Sequence, residues 1–144
     1  IAENEFLAAT FNGVNSKIIR STNQSTWRKF RKIKGLVHEI NLINNNVVYC
    51  GTGGIHFNKD GFIQKDNEKK QILKNEGCIW SMESYNQLPI IVTQKGKLIK
   101  GVKNNSFQHL KLPTNFPIYD LEQVSENKFM LVGHGKSAFI VEMP

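Results

Sequence analysis

Arginine is the residue type in this chain that could bind an acidic sugar, because clustered guanidinium groups hold a carboxylate in a fixed geometry. The sequence contains three arginines, Arg20, Arg28 and Arg31. Glycoside hydrolysis of such a sugar would also need a Tyr and Glu pair close to the sugar ring. All three arginines fall within one predicted hairpin and cannot surround a ligand. We therefore expect no catalytic residue in this chain and lean towards a protein that is not an enzyme.

Histidine and cysteine could bind a metal. The four histidines fall in different predicted strands and turns: His38, His56, His109 and His134. Neither Cys50 nor Cys78 has a second Cys or a His at zinc-finger spacing. We expect His38 to be a half-buried packing residue and both cysteines to be buried thiols in strands. The sequence therefore predicts no metal and no cofactor.

The composition is that of one globular domain with a basic surface. The chain has 144 residues, of which 40% are hydrophobic and 22% are charged, and a formal net charge of +7. This charge permits an acidic partner without requiring one. No apolar run approaches the roughly 20 residues that span a membrane. The sequence starts in mid-pattern at Ile1, so we expect a fragment or a processed chain, and we slightly favour an exported or periplasmic protein.

A short apolar segment recurs four times along the chain. The copies are Phe6–Thr10, Val47–Gly51, Pro89–Thr93 and Phe129–Gly133, and their starting positions step by 41, 42 and 40 residues. A second recurring segment precedes the later copies, as GLVHEINLI, GCIWSMESY and FPIYDLEQV. The segments are short, rich in Val, Ile, Phe and Tyr, and separated by Gly and Asn, which favours strands and hairpins. A period of about 40 residues is typical of repeat architectures.

Each repeat predicts four antiparallel strands, named A to D here, and such units packed around an axis are the blades of a β-propeller. We expect strands B to D of a first blade in 5–34, complete blades in 35–75 and 77–113, and strands A to C of a fourth blade in 116–142. The fold class is thus all-β, a propeller segment of about 3.5 blades. Apolar positions in strand A are three apart, which predicts a β-bulge in that strand.

Closed propellers have four to eight blades. We therefore expect further N-terminal blades, or self-association with a second copy, to complete the ring, and two halves of 3.5 blades would give seven.

One hairpin carries a motif that resembles a known repeat. The run Ser21-Thr22-Asn23-Gln24-Ser25-Thr26-Trp27 is similar to the Asp-box, or BNR repeat, whose pattern is Ser-x-Asp-x-Gly-x-Thr-Trp. The run is one residue shorter and has Asn23 for the Asp and Ser25 for the Gly. Propellers with this repeat include sialidases, sortilin-like receptors and photosystem II assembly-factor-like proteins. The resemblance implies that Ser21, Asn23 and Ser25 bond the turn backbone and that Trp27 packs in the core between sheets.

Charge divides between the two edges of the predicted blades. Strand A, which is innermost, carries Glu39, Glu83, Asp120 and Glu122. Strand D, which is outermost, carries basic residues: Arg28, Lys29, Arg31, Lys32, Lys69, Lys70, Lys74 and Lys111. Lysines on edge strands also oppose unwanted strand pairing. The pattern predicts an acidic channel within a basic rim.

We expect a non-enzymatic scaffold that binds a protein or glycan partner through blade-end loops. The candidate residues lie in the B-to-C and D-to-A loops: Asn12, Gly13, Asn75, Glu76, Lys95, Thr114, Asn115 and His134. The alternative is half of a carbohydrate-active, sialidase-like enzyme whose catalytic groups lie partly in further blades. A third hypothesis is polyanion or nucleic-acid binding through stacking on Trp80 or Tyr119. The sequence gives this hypothesis little support, because no basic face is interleaved with aromatic residues.

Overall fold

The computed structural model describes residues 5–53, 59–66, 68–103, 106–112 and 116–144. Within these ranges the chain is all-β, with fourteen strands in four antiparallel sheets and a single-turn 3-10 segment at His134–Lys136. The predicted fold class is confirmed at this level, as all-β with antiparallel sheets of three or four strands.

The four sheets follow one another along the chain, and neighbouring strands are paired in chain order. The first sheet contains β1 (Phe6–Phe11), β2 (Asn15–Ser21) and β3 (Arg28–Lys34). The second contains β4 (Leu36–Ile43), β5 (Asn46–Thr52), β6 (Gly61–Lys65) and β7 (Gln71–Leu73). The third contains β8 (Ile79–Tyr85), β9 (Leu88–Thr93), β10 (Leu98–Val102) and β11 (Ser106–Leu110). The fourth contains β12 (Ile118–Ser125), β13 (Lys128–Gly133) and β14 (Ala138–Glu142).

Two-residue turns join the first two strands of the second and third sheets. Asn44 and Asn45 have φ angles of 49° and 58°, and Asn86 and Gln87 have φ angles of 51° and 63°. Positive φ at both central residues is the type I′ geometry, whose twist matches that of the flanking strands. Asparagine tolerates this left-handed conformation better than most residues. The asparagine-rich turns therefore set the register of both hairpins.

The strands β4, β8 and β12, called the inner strands below, each carry a β-bulge at the same position. The pairing register shifts between Val37 and Glu39 in β4, between Ile79 and Ser81 in β8, and between Ile118 and Asp120 in β12. The extra residue in each case is aromatic or histidine: His38, Trp80 and Tyr119. The bulge predicted from the three-residue spacing is therefore confirmed in all three strands.

The sheets pack face against face in chain order, and the inner strands contact one another. Three hydrophobic clusters fill the spaces between them, with Ile18, Tyr49 and Phe62 between the first two sheets. Val48, Cys50 and Met82 belong to the cluster between the second and third sheets, and the third cluster joins the third and fourth sheets. Alternate residues of a strand face opposite sides. Each middle sheet therefore contributes to two clusters.

The fourth sheet has an uncovered apolar face, called its outer face below. Met130 and Val132 of β13 occupy the positions that Val48 and Cys50 occupy in β5 of the second sheet. Val48 and Cys50 are buried. In the fourth sheet this face is exposed, by 37% to 63% of each side chain: Val124, Met130, Val132 and Ile140. The fourth sheet thus carries a packing surface like those of its predecessors, with no described residue against it.

Candidate functional site

A row of three rings crosses the inner strands, and we call it the ring row. It consists of the bulge residues His38, Trp80 and Tyr119. The ring centroids of His38 and Trp80 are 4.5 Å apart, and those of Trp80 and Tyr119 are 6.0 Å apart with the planes at 80°. Tyr119 ends the row and is 44% exposed. Since each ring comes from a different sheet, the row is a product of how the three sheets are arranged.

The polar atoms of the ring row are sheltered. His38 Nε2 and Trp80 Nε1 are buried and make no hydrogen bond to the part of the chain that the structure describes. Burial lowers the pKa of His38 below its ordinary value, because a low-dielectric environment disfavours the charged imidazolium. His38 is therefore neutral at pH 7 and adds no positive charge to the row. Its half-buried packing role, expected from the sequence, is confirmed.

Four carboxylates lie along the inner strands, and we call them the inner carboxylates: Glu39, Glu83, Asp120 and Glu122. Burial raises the pKa of Glu39, against the effect of hydrogen bonds from Met82 and Ser81, and the charges of Glu83 and Asp120 raise it further. Burial also raises the pKa of Glu83, with repulsion from Glu122 and Asp120 adding to it. The inner carboxylates therefore lie close enough to repel one another. This agrees with the acidic inner edge that the sequence predicts.

Polar side chains fix the inner strands against one another. Glu39 Oε2 accepts a hydrogen bond of 2.5 Å from the Met82 backbone N–H, and Asn41 Nδ2 donates one of 3.0 Å to the Met82 carbonyl. At the next interface, Ser81 Oγ donates to the Leu121 carbonyl at 3.4 Å. These bonds hold neighbouring inner strands in one register, which keeps the three rings adjacent.

Two of the predicted loop residues, Lys95 and His134, lie at the same end of the sheets as the ring row. The start of each inner strand pairs with the end of the next strand, as in Ile79 with Thr93 and Ile118 with Gly133. The loops that follow Thr93 and Gly133 contain Lys95 and His134, and both side chains are exposed. His134 N–H donates to the carbonyl of Pro117 at 2.9 Å, which ties this loop to the start of β12.

The remaining candidates make contacts within the loop ends. Asn12 Oδ1 accepts bonds from the Val14 and Asn15 amides and so shapes the turn that contains Gly13. The backbone N–H of Asn75 donates to Asp60 Oδ1 at 2.9 Å, and Glu76 Oε1 lies 3.5 Å from His109 Nε2. These contacts hold separate loops to their own surroundings. Thr114 and Asn115 lie outside the described residues.

The ring row lies outside the predicted loop site, although the hypothesis of polyanion binding named Trp80 and Tyr119 as stacking residues. His38 and Trp80 are partly buried and Tyr119 is 44% exposed, and a single ring in a strand does not mark a site, so no one sequence segment predicts it. The available signal was the coincidence of two observations: three-residue apolar spacing in each A strand, and an aromatic or histidine residue at the same place in all three. Together they place three rings at equivalent bulges.

The Asp-box-like turn between β2 and β3 is held by its short polar residues. Asn23 Oδ1 accepts bonds from the backbone amides of Ser25 and Thr26 at 3.0 and 2.8 Å, and the Ser21 hydroxyl donates to it at 3.1 Å. Ser25 Oγ donates to the Asn23 carbonyl. The expectation that Trp27 packs in the core is wrong, since its side chain is 40% exposed. Its Nε1 donates to the Gln24 carbonyl at 3.0 Å, so the indole lies against its own turn.

Two further findings bear on function. Among the residues that the structure describes, no three His, Cys, Asp or Glu side chains form a group that could hold a metal ion. In the same ranges, no helix has the length and apolar character needed to cross a membrane.

No protein-family model matches this sequence, and no curated protein matches it. The Asp-box resemblance therefore depends on the hairpin residues alone.

Proposed function

We propose that this chain is part of a β-propeller that acts as a non-enzymatic scaffold and binds a protein or glycan partner at the end of the sheets where the ring row lies. The ring row is the observation that carries the proposal. It places three rings from three sheets side by side, with Tyr119 open to solvent. Aromatic rings with one exposed end are enriched where proteins bind ligands and partners.

The repeated interface supports the propeller. The inner strands of the second, third and fourth sheets pack against one another in chain order, and the bulge recurs in each of the three. The outer face of the fourth sheet has the apolar character of the faces that pack elsewhere in the chain. Soluble proteins rarely leave such a face uncovered. We propose that a further sheet covers it, from a longer chain or from a second copy.

The four described sheets change the expected count of a self-completed ring. The prediction of seven blades was obtained by counting strands and dividing them into four-stranded blades. Because the strands of one chain form four separate sheets, two copies would contain eight sheets. Eight is within the range of closed propellers. Sedimentation of the 144-residue chain tests completion by a second copy, which would give a species of twice 16.4 kDa. A species of 16.4 kDa at all concentrations would contradict it and favour a longer chain.

The sialidase-like alternative receives less support from the geometry. Arg20 lies 3.5 Å from Glu5 and over the ring of Phe30, and Arg31 lies 2.7 Å from Asp66. Both arginines therefore pair with acidic residues of the chain itself. Polyanion binding receives less support too, because the inner carboxylates would repel a phosphate backbone near the ring row.

A matched pair of tryptophan variants tests the binding proposal. The immobilised protein would be screened against a glycan array and a peptide library, and each hit would be measured again with Trp80→Ala and Trp27→Ala. Both changes remove one indole from a chain with two tryptophans. We expect Trp80→Ala to abolish binding and Trp27→Ala to leave it unchanged. Binding that survives in Trp80→Ala would contradict a site at the ring row.

A further inference from the structure

We propose that the ring row and the inner carboxylates beside it bind a cationic side chain, lysine or arginine, of a partner protein. This inference rests on the proposed function, because it names the chemistry of the ligand at the same site. It also chooses between the two partner classes, since a protein can present such a side chain and a neutral glycan cannot.

The rings supply the first argument. A cation within about 6 Å of a ring centroid is attracted to the face of the ring, most strongly for Trp. The chain already uses this contact elsewhere, with Lys70 Nζ 4.1 Å from the Phe62 ring and Lys100 Nζ 4.5 Å from the Tyr85 ring. Among the described residues, the cation–π contacts involve the rings of Phe30, Phe62 and Tyr85. The ring row thus has no cation of its own in that part of the chain.

The carboxylates supply the second argument. The ion pairs in the described ranges use other acids: Glu5, Asp66, Glu68, Glu76 and Glu142. The charges that act on Glu39 and Glu83 come from acidic neighbours. The chain has 19 lysine and arginine residues and a net charge of +7, but none of the described ion pairs brings one of these basic side chains to an inner carboxylate. An external cation would offset repulsion that the chain leaves uncompensated at its inner edge.

The position of these acids relative to the rings supplies the third argument. Glu39 directly follows His38, and Asp120 directly follows Tyr119, at the bulges. Asp120 and Glu122 are both exposed. They pair with Val132 and Met130, so their side chains share the outer face of the fourth sheet. Glu39 and Glu83 stay only partly buried although the next sheet packs against their faces, so a sheet that covers the apolar outer face would leave carboxylates at the inner edge within reach of a partner. A cation beside Tyr119 can therefore contact an aromatic ring and carboxylates at the same time. A neutral sugar could interact with the carboxylates only through hydrogen bonds from its hydroxyl groups.

The test uses the emission of Trp80. The chain has two tryptophans, so Trp27→Phe leaves Trp80 as the only indole without altering the ring row. This protein would be titrated with acetylated tetralysine and tetra-arginine amides, with tetraglutamate as the charge-reversed control and with chitotriose as the neutral glycan. We expect a saturable change in emission with the two cationic peptides alone, and binding that weakens with added salt.

Two glutamine variants separate a local site from general attraction. Glu122→Gln removes an inner carboxylate, and Glu126→Gln removes the same charge from the turn between β12 and β13. Both side chains are exposed, and circular dichroism would verify folding of both variants. We expect Glu122→Gln to weaken cationic binding about threefold or more and Glu126→Gln to change it less than about 1.5-fold, the scale expected for one partly exposed charge.

The possible results are distinct. If chitotriose changes the emission and the cationic peptides do not, the cation inference is overturned while the proposed function stands. If neither ligand class changes the emission, and Trp80→Ala loses no hit from the array or the library, both are overturned. Equal weakening by Glu122→Gln and Glu126→Gln would show attraction to the whole chain and would also overturn the inference.

Discussion

Gly51 is the residue at which the close approach of two strands can be tested most directly. It pairs with Val37 beside the bulge of β4, and its own φ is not in the left-handed region. A Cβ atom at this position would lie 1.9 Å from the Leu36 carbonyl oxygen and 3.1 Å from the His38 backbone nitrogen. Gly51→Ala therefore places a methyl group against main-chain atoms.

The expected cost follows from which atoms must move. Ordinary contacts between carbon and oxygen start at about 3.4 Å, so β4 must shift by more than about 1 Å. A side chain could rotate away, but a strand held by its pairing cannot. Overpacking costs about 1–3 kcal/mol, and the rigid surroundings favour the upper end, about 3 kcal/mol. For a chain of this length, that loss lowers Tm by roughly 10 °C.

Urea unfolding followed by circular dichroism would measure this loss, with Gly53→Ala as the matched control. Gly53 lies two residues further on, and a Cβ there would meet the Ile72 Cδ1 atom at 3.3 Å, at the end of a flexible side chain. We expect Gly53→Ala to change the free energy of unfolding by less than about 0.5 kcal/mol. If the free energy of unfolding of Gly51→Ala differed from that of the natural sequence by less than about 0.5 kcal/mol, the described approach of β5 to β4 would be wrong.

Three further predictions concern the turn, the inner edge and the core. Asn23→Ala removes the acceptor of two backbone amides, and we expect urea unfolding to show a loss of about 1 kcal/mol, with no change for Thr22→Ala in the same turn. Burial raises the pKa of Glu83, so ionisation of this carboxyl group destabilises the folded state. The destabilisation is absent below about pH 4.5, develops as the pH rises above that value, and is complete above the raised pKa. Glu83→Gln should therefore stabilise the protein at pH 7, by less than about 1 kcal/mol because of solvent screening, and have little effect at pH 4; equal effects at both values would contradict the burial of this carboxyl group. Ile91→Ala in the core should cost about 3 kcal/mol in the same assay, whereas Leu42→Ala, at a side chain that is 46% exposed, should be near neutral.

The order and pairing of the strands follow from local patterns in the sequence. The recurrence of Val47–Gly51 and its equivalents marks one strand of each sheet, and polar turns such as Asn44-Asn45 mark the hairpin reversals. The bulge was also predictable, since apolar residues three apart in an alternating strand require one extra residue. These features depend on neighbours in the chain, and for that reason they can be deduced without coordinates.

The contacts between sheets could not be deduced in the same way. The approach of Trp80 to His38 and Tyr119 depends on the rotation of one sheet against the next, which no single segment encodes. Trp27 was misjudged for a related reason, because an aromatic residue in a hairpin is covered only if another sheet lies against that hairpin. Loops were a reasonable first choice for the site, because loops carry function in many folds, but the rings of the inner strands needed the tertiary arrangement.

The bonds from Glu39 and Asn41 to the Met82 main chain have an evolutionary consequence. A side chain that recognises peptide groups imposes no particular residue on the strand that receives it. Gene duplication can therefore add a unit beside an old one, and the new copy can diverge in its side chains without losing its attachment. Methionine and leucine already occupy the receiving position at successive interfaces, as Met82 and Leu121.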